Sequence, residues 1–260
     1  MPVHSAINII LDYDSTAPED IETYGSVFSA AESFWEGNLT GYQDVWLGAP
    51  AQVLIKVNLS TIDGVGGRLG QASPTHINIF GNFVETTQGE MTFDTDDLVS
   101  LRQSGLFNTV VRHEMGHVLG HGSLWALNGV YEEGTGQYTG ASGLAAFREE
   151  FNQPEATYVP VELDGGEGTA NGHWNMGMDL GSREAPNSRD DPGDTIVYTS
   201  VNNGEVLDNE LMSGFLSGSA WLSETTLQSF YDIGYTVIPE PSAFTLPMLV
   251  LFFCFFGRRD

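Results

Sequence analysis

The sequence predicts an α+β fold, and three observations carry it. The first eighty residues alternate strand patterns with one helical pattern. A second helix over Leu106–Gly120 has the clearest core stripe in the chain. The stretch from Gly122 to Asn209 is rich in Gly, Asn, Asp and Pro and shows few regular elements. Glycine makes up 31 of 260 residues. That is well above the average share, so tight turns should be many.

In chain order, Ile7, Ile9 and Leu11 alternate with other residues and predict a strand over Ile7–Tyr13. Ile21, Tyr24, Val27, Phe28, Ala31, Phe34 and Trp35 recur at helical spacing, and Gly37 is the expected stop. Val53, Ile55, Val57 and Leu59 alternate and predict a second strand. The glycine-rich run Asp63–Gly70 lacks the Gly-Lys-Ser/Thr ending of a phosphate loop, and no helical pattern follows it. His76–Phe80 reads as a short strand, and Phe93–Leu98 as a helix start with acidic residues at its N-terminus. In the next helix Val111, Met115, Val118 and Leu119 form one stripe, with Gly120 as the stop. Leu144–Phe151 predicts a short helix. Ser223 caps a last one carrying Leu227, Phe230, Tyr231 and Ile233, ended by Gly234. The expected organisation is an N-terminal subdomain over 1–122, a loop-rich C-terminal subdomain over 123–237 and a tail over 238–260.

Charge narrows the function. Nine Lys and Arg against 35 Asp and Glu give a net charge of −26. That excludes a general nucleic-acid binder, which needs clustered cations for the phosphates. A hydrophobic content of 41% suffices for a core, and only 17% of residues are charged. This balance separates the chain from disordered polyanions. The single cysteine, Cys254, leaves no intrachain disulfide and no cysteine-based metal site or nucleophile in the body.

His113-Glu114-Met115-Gly116-His117 lies inside the strong helix. Residues i and i+4 are about 40° apart around a helix and one turn apart along it, so both imidazoles can share a metal. Glu114 is offset by about 100° and 60° from them, within reach of a metal-associated water. Zinc hydrolases use this spacing. Two histidines and a water leave zinc one protein ligand short. His121 sits about 12 Å along a continuous helix from His113 and would need a very sharp break at Gly120. Glu149, Glu150 and Glu210 begin no Glu-x-x-x-Asp helix motif. His173, in the polar segment Asn171-Gly172-His173-Trp174, has no core stripe to explain it and is favoured. His4 and His76 read as structural.

The run His113–Gly120 resembles the start of the metzincin zinc motif. The position of the third histidine in the short form of that motif is Ser123 here. Leishmanolysin-like metallopeptidases carry a long insertion instead, and 56 residues separate His117 from His173. The resemblance runs through Asn209-Glu210-Leu211-Met212 and on to Tyr235. It implies a metzincin-like, two-subdomain metalloendopeptidase acting on polypeptides. One zinc ion would be held by His113, His117 and His173, with Glu114 as general base and Met212 as the Met-turn methionine. Alternatives are a non-catalytic surface binding module that keeps zinc for structure, and a zinc hydrolase of non-peptide bonds. Calcium is a further candidate at Asp94, Asp96 and Asp97 or at Asp190, Asp191 and Asp194, although neither cluster matches an EF-hand loop.

The C-terminus, Pro239-Glu240-Pro241 followed by the uncharged run 243–256 and Arg258-Arg259, resembles a PEP-CTERM sorting signal. It implies export, envelope sorting machinery as a partner and a transmembrane-type segment over 243–256. No signal peptide is visible at Met1–Leu11, so the expectation is that the natural start lies upstream.

Overall fold

The computed structural model describes residues 7–43, 52–166, 168–175, 197–214 and 220–238. The fold is mixed, with five α-helices among these residues around a four-stranded mixed sheet. Strands β1 (Asn8–Asp12), β3 (Gln52–Ser60), β4 (Gly70–Phe80) and β5 (Phe83–Asp94) stand in the order β1-β3-β5-β4. β1, β3 and β5 are parallel to one another, and β4 is antiparallel to β5 at the edge.

Val53, Ile55 and Val57 of β3 are buried while Gln52, Leu54 and Lys56 face outward, so one side of the sheet takes the helices. That side is covered by α1 (Pro18–Asn38) and α3 (Phe107–Val118). Tyr24, Phe28, Ala31 and Trp35 form the buried stripe of α1. The rings of Phe28, Phe93 and Phe107 meet pairwise at 5.5–5.7 Å and lock α1, β5 and α3 together. Each such ring contributes about 1.5–3 kcal/mol by burial. The indole of Trp35 also donates to the Arg112 carbonyl at 2.9 Å, which pins α3 in its orientation.

Two expectations about this region change. α1 passes through Gly37 and ends at Asn38, because Leu39 starts β2 (Leu39–Tyr42), which pairs with β8 (Tyr235–Val237) near the other end of the chain. The short strand at His76–Phe80 is the last part of an eleven-residue strand, and its partner β5 occupies 83–94, where only a helix start was expected. The turn between them is two residues, Gly81-Asn82, and Gly81 has φ 57°. Tight hairpins of this length need such a positive φ. The short helix α2 (Leu98–Ser104) begins after Asp97.

The remaining chain is loop-rich, with a small pair β6 (Gln137–Tyr138) and β7 (Val159–Pro160) and two helices, α4 (Ala141–Glu150) and α5 (Glu224–Asp232). These two helices exchange caps. The Glu150 carboxylate at the end of α4 accepts from the N–H groups of Glu224 and Thr225 at the start of α5. The Asp232 carboxylate at the end of α5 accepts from Ser142 and Gly143 N–H at the start of α4, both at 2.8 Å. Each negative charge thus sits at the positive end of the other helix dipole.

The expected transmembrane-type segment is corrected. No helix among the described residues is long and apolar enough to cross a membrane. The segment 243–256 lies outside those residues, and its fourteen residues fall short of the roughly 20 that a helical span needs.

Candidate metal centre

Helix α3 places His113 and His117 one turn apart on its buried side, and the segment ending at His173 closes against them. The three Nε2 atoms form a near-equilateral triangle: 3.1 Å between His113 and His117, 2.9 Å between His117 and His173, and 3.0 Å between His113 and His173.

Each Nδ1 lies against a backbone carbonyl. His113 meets Leu211 O at 2.6 Å, His117 meets His121 O at 2.9 Å and His173 meets Thr169 O at 2.8 Å. A carbonyl can only accept, so each Nδ1 carries the proton and donates. In the neutral rings every Nε2 then presents a bare lone pair, and three lone pairs converge with no proton to share. Protonation does not relieve them. Burial, with His117 adding repulsion, pushes His113 down to about 3. Burial pushes His117 down to about 4. His173 lies well below its ordinary range for the same reason, with His117 and His113 adding to it. A cation fits this donor set. Tetrahedral zinc at about 2.0–2.1 Å from each nitrogen spaces its ligands by about 3.3 Å, close to the triangle observed. Among the described residues this is the one grouping of three or more candidate metal-binding side chains.

Glu114, on the same helix, is buried, and burial pushes its carboxyl up to about 8, opposed by the charge of Arg68. Arg68 comes from the glycine-rich loop, which buried carboxylates hold in place. Asp94 Oδ2 accepts from the N–H groups of Ile62, Asp63 and Gly64, and Asp97 accepts from Gly66. The Asp96 N–H, with Asp63, Ile62 and Gly64 adding, holds Asp94 below the usual carboxylate range. Asp94 and Asp97 therefore serve the loop rather than converging with Asp96 as a calcium cluster would. Asp190, Asp191 and Asp194 lie outside the described residues.

Met212 is fully buried under α3. A Cβ on Gly116 would stand 2.8 Å from its sulfur and 3.0 Å from Trp35, so the glycine of the motif is what lets α3 settle on both. Gly122, at φ 71°, brings the chain after α3 against Gly172, the residue before His173. That segment is held further by Glu162 N–H on His173 O and Trp174 N–H on Met212 O.

The alternatives for the third position separate clearly. The chain turns at Gly120, and the His121 ring packs among Trp125, Trp174 and Phe230, while its backbone carbonyl serves His117. Glu150 caps α5, Glu149 is exposed and stands outside the triangle, and Glu210 is buried in a network of its own. His76 is exposed on β4, and His4 lies outside the described residues. Sequence reasoning missed Arg68 and the three carbonyls. A backbone carbonyl has no sequence signature, and a lone arginine in a loop has little more.

No protein-family profile matches the chain. In an alignment that covers 53% of its length, it is 28% identical to a leishmanolysin homolog of Crithidia fasciculata. The match covers 18% of that protein, so the chain spans less than a fifth of the relative it resembles.

Proposed function

We propose that the protein is a zinc-dependent metalloendopeptidase. The observation that carries this reading is the convergence of three neutral, tautomer-locked imidazoles beside a buried carboxylate. The distant likeness to a leishmanolysin homolog supports the same class. His113, His117 and His173 would hold the ion, over Met212 as the Met-turn residue. When bound, zinc supplies Lewis acidity toward a water and a carbonyl oxygen.

The chain's own groups do the rest. Glu114 takes a proton from the attacking water at its carboxylate and returns it to the leaving amine. A purely structural metal site has no use for such a group. The outer edge of β4 pairs with no other strand among the described residues, and Gly70 at its start lies against Glu114. An extended peptide added to that edge would run past the carboxylate. In this reading residues 1–122 supply the edge, the helix and the base, and 123–237 supply the third ligand and the floor.

Digestion of a peptide library with and without chelator, alongside Glu114→Ala, tests the proposal. Cleavage should stop on chelation and return with zinc, and Glu114→Ala should keep its metal while losing turnover. Chelator-insensitive cleavage, or a Glu114→Ala protein working at the wild-type rate, would overturn it.

A further inference from the structure

Glu210 is fully buried, and four donors converge on its carboxylate. Oε2 accepts from Met212 N–H at 2.5 Å. Oε1 accepts from Ser223 N–H at 3.0 Å, Ser223 Oγ at 3.0 Å and Thr226 Oγ1 at 2.6 Å. Only an acceptor-only group satisfies such a set, since the amide of a glutamine would turn an NH2 toward one of the donors. The Thr226 hydroxyl in turn accepts from the indole of Trp174 at 2.8 Å, and Trp174 follows His173 in the chain. The residue after Glu210 is Leu211, whose carbonyl accepts the His113 proton.

Capping α5 does not explain the arrangement. Ser223 Oγ already accepts from Thr226 N–H at the start of that helix, and Glu150 accepts from Glu224 and Thr225. What Glu210 adds is a connection from that firm helix end to the turn 210–212 and, through Thr226, to the segment carrying His173.

We propose that Glu210 is a positioning residue of the metal centre. Its carboxylate fixes the Leu211 carbonyl that sets the tautomer and direction of His113, and it steadies the backbone next to His173. The inference rests on the metal-centre reading above. Groups that orient metal-bound histidines typically change affinity by about ten- to a hundred-fold when removed.

Glu210→Gln, Glu210→Asp and Glu150→Gln should be compared with wild type. The measurements are urea unfolding of the chelated proteins, zinc affinity by competition with a chromophoric chelator, and the visible absorption of the cobalt(II)-loaded forms. Glu150→Gln is the control, because it also strips a buried carboxylate from the start of α5 but has no link to Leu211. Glu210→Gln should weaken zinc binding by about ten- to a hundred-fold and alter the cobalt spectrum, with Glu210→Asp intermediate. Glu150→Gln should lose stability while keeping wild-type zinc affinity and spectrum. If Glu210→Gln does not fold, Glu210→Asp carries the comparison. Wild-type zinc affinity and cobalt spectrum in the folded Glu210 variants, or changes no larger than those of Glu150→Gln, would overturn the inference while leaving the metal centre standing. A wild-type protein that binds neither ion would overturn both.

Discussion

Gly122→Ala tests how the third histidine is delivered. The residue has φ 71°, and an added Cβ would overlap the Gly172 carbonyl oxygen and stand 2.6 Å from its Cα. Gly129 is the natural comparison, with φ 70° and nothing within 4 Å of the same added atom. Left-handed backbone costs an L-residue about 1–2 kcal/mol, and that applies to both variants. A methyl forced against backbone adds about 1–3 kcal/mol, and only Gly122→Ala meets it. The smaller gain from a stiffer unfolded chain is common to the two. Gly122→Ala should therefore be about 1–3 kcal/mol less stable than Gly129→Ala in urea unfolding of the chelated proteins. The displaced segment ends at His173, so zinc affinity should fall in Gly122→Ala and stay at the wild-type level in Gly129→Ala. Equal stability and equal zinc affinity in the two variants would refute the reasoning.

The choice between His173 and His121 is checked by metal content after dialysis. His173→Ala should lose zinc, whereas His121→Ala should keep it and lose about 2–4 kcal/mol of stability from the hole left among the aromatic rings. Gly70→Ala would put a methyl 2.9 Å from Glu114 Oε1. Turnover should then fall by about ten- to a hundred-fold with full metal occupancy, and an unchanged rate would remove Gly70 from the account. In the metal-free protein His113 and His117 are pushed below their ordinary value of 6.5, to about 3 and about 4. The stability they contribute is complete above pH 6.5 and is lost as pH falls through 4 toward 3. Glu114 acts in the opposite sense: its contribution is complete below its ordinary 4.5 and is lost as pH rises through about 8. The histidine part is isolated as the difference in unfolding free energy between wild type and a His113→Asn/His117→Asn variant from acid to neutral pH. A difference that does not change with pH would contradict it.

The sequence showed most clearly whatever depends on neighbours along the chain. Helical spacing put His113, Glu114 and His117 on one stretch of α3, and Ser223 does cap α5, accepting from Thr226 N–H. His173 stood out only because nothing else explained a histidine there and because of a family likeness. β5 was illegible because Glu85, Thr86, Thr87 and Gln88 break any alternation, although Glu85 and Thr86 are both buried. The β2–β8 pair has four and three residues, too short to carry a pattern, and its partners meet across almost the whole chain. Asp94 looked like the acid at a helix start. Its use as an anchor for the loop at 62–64 depends on a close approach that no local rule encodes. The aromatic packing of His121 was equally hidden, since Trp174 and Phe230 come from distant segments.

The exchanged caps of α4 and α5 carry a kinetic consequence. With ten and nine residues, neither helix would persist alone in water, and each gives up its N-terminal partner when the other unravels. The two should therefore open as one cooperative unit, with their slow amide hydrogens exchanging at a shared rate. Ser223 and Thr226, which hold Glu210, belong to the start of α5. Opening of the pair would release Glu210 as well, so the residence time of an ion between the three histidines would be paced by the unravelling of helices that never touch it.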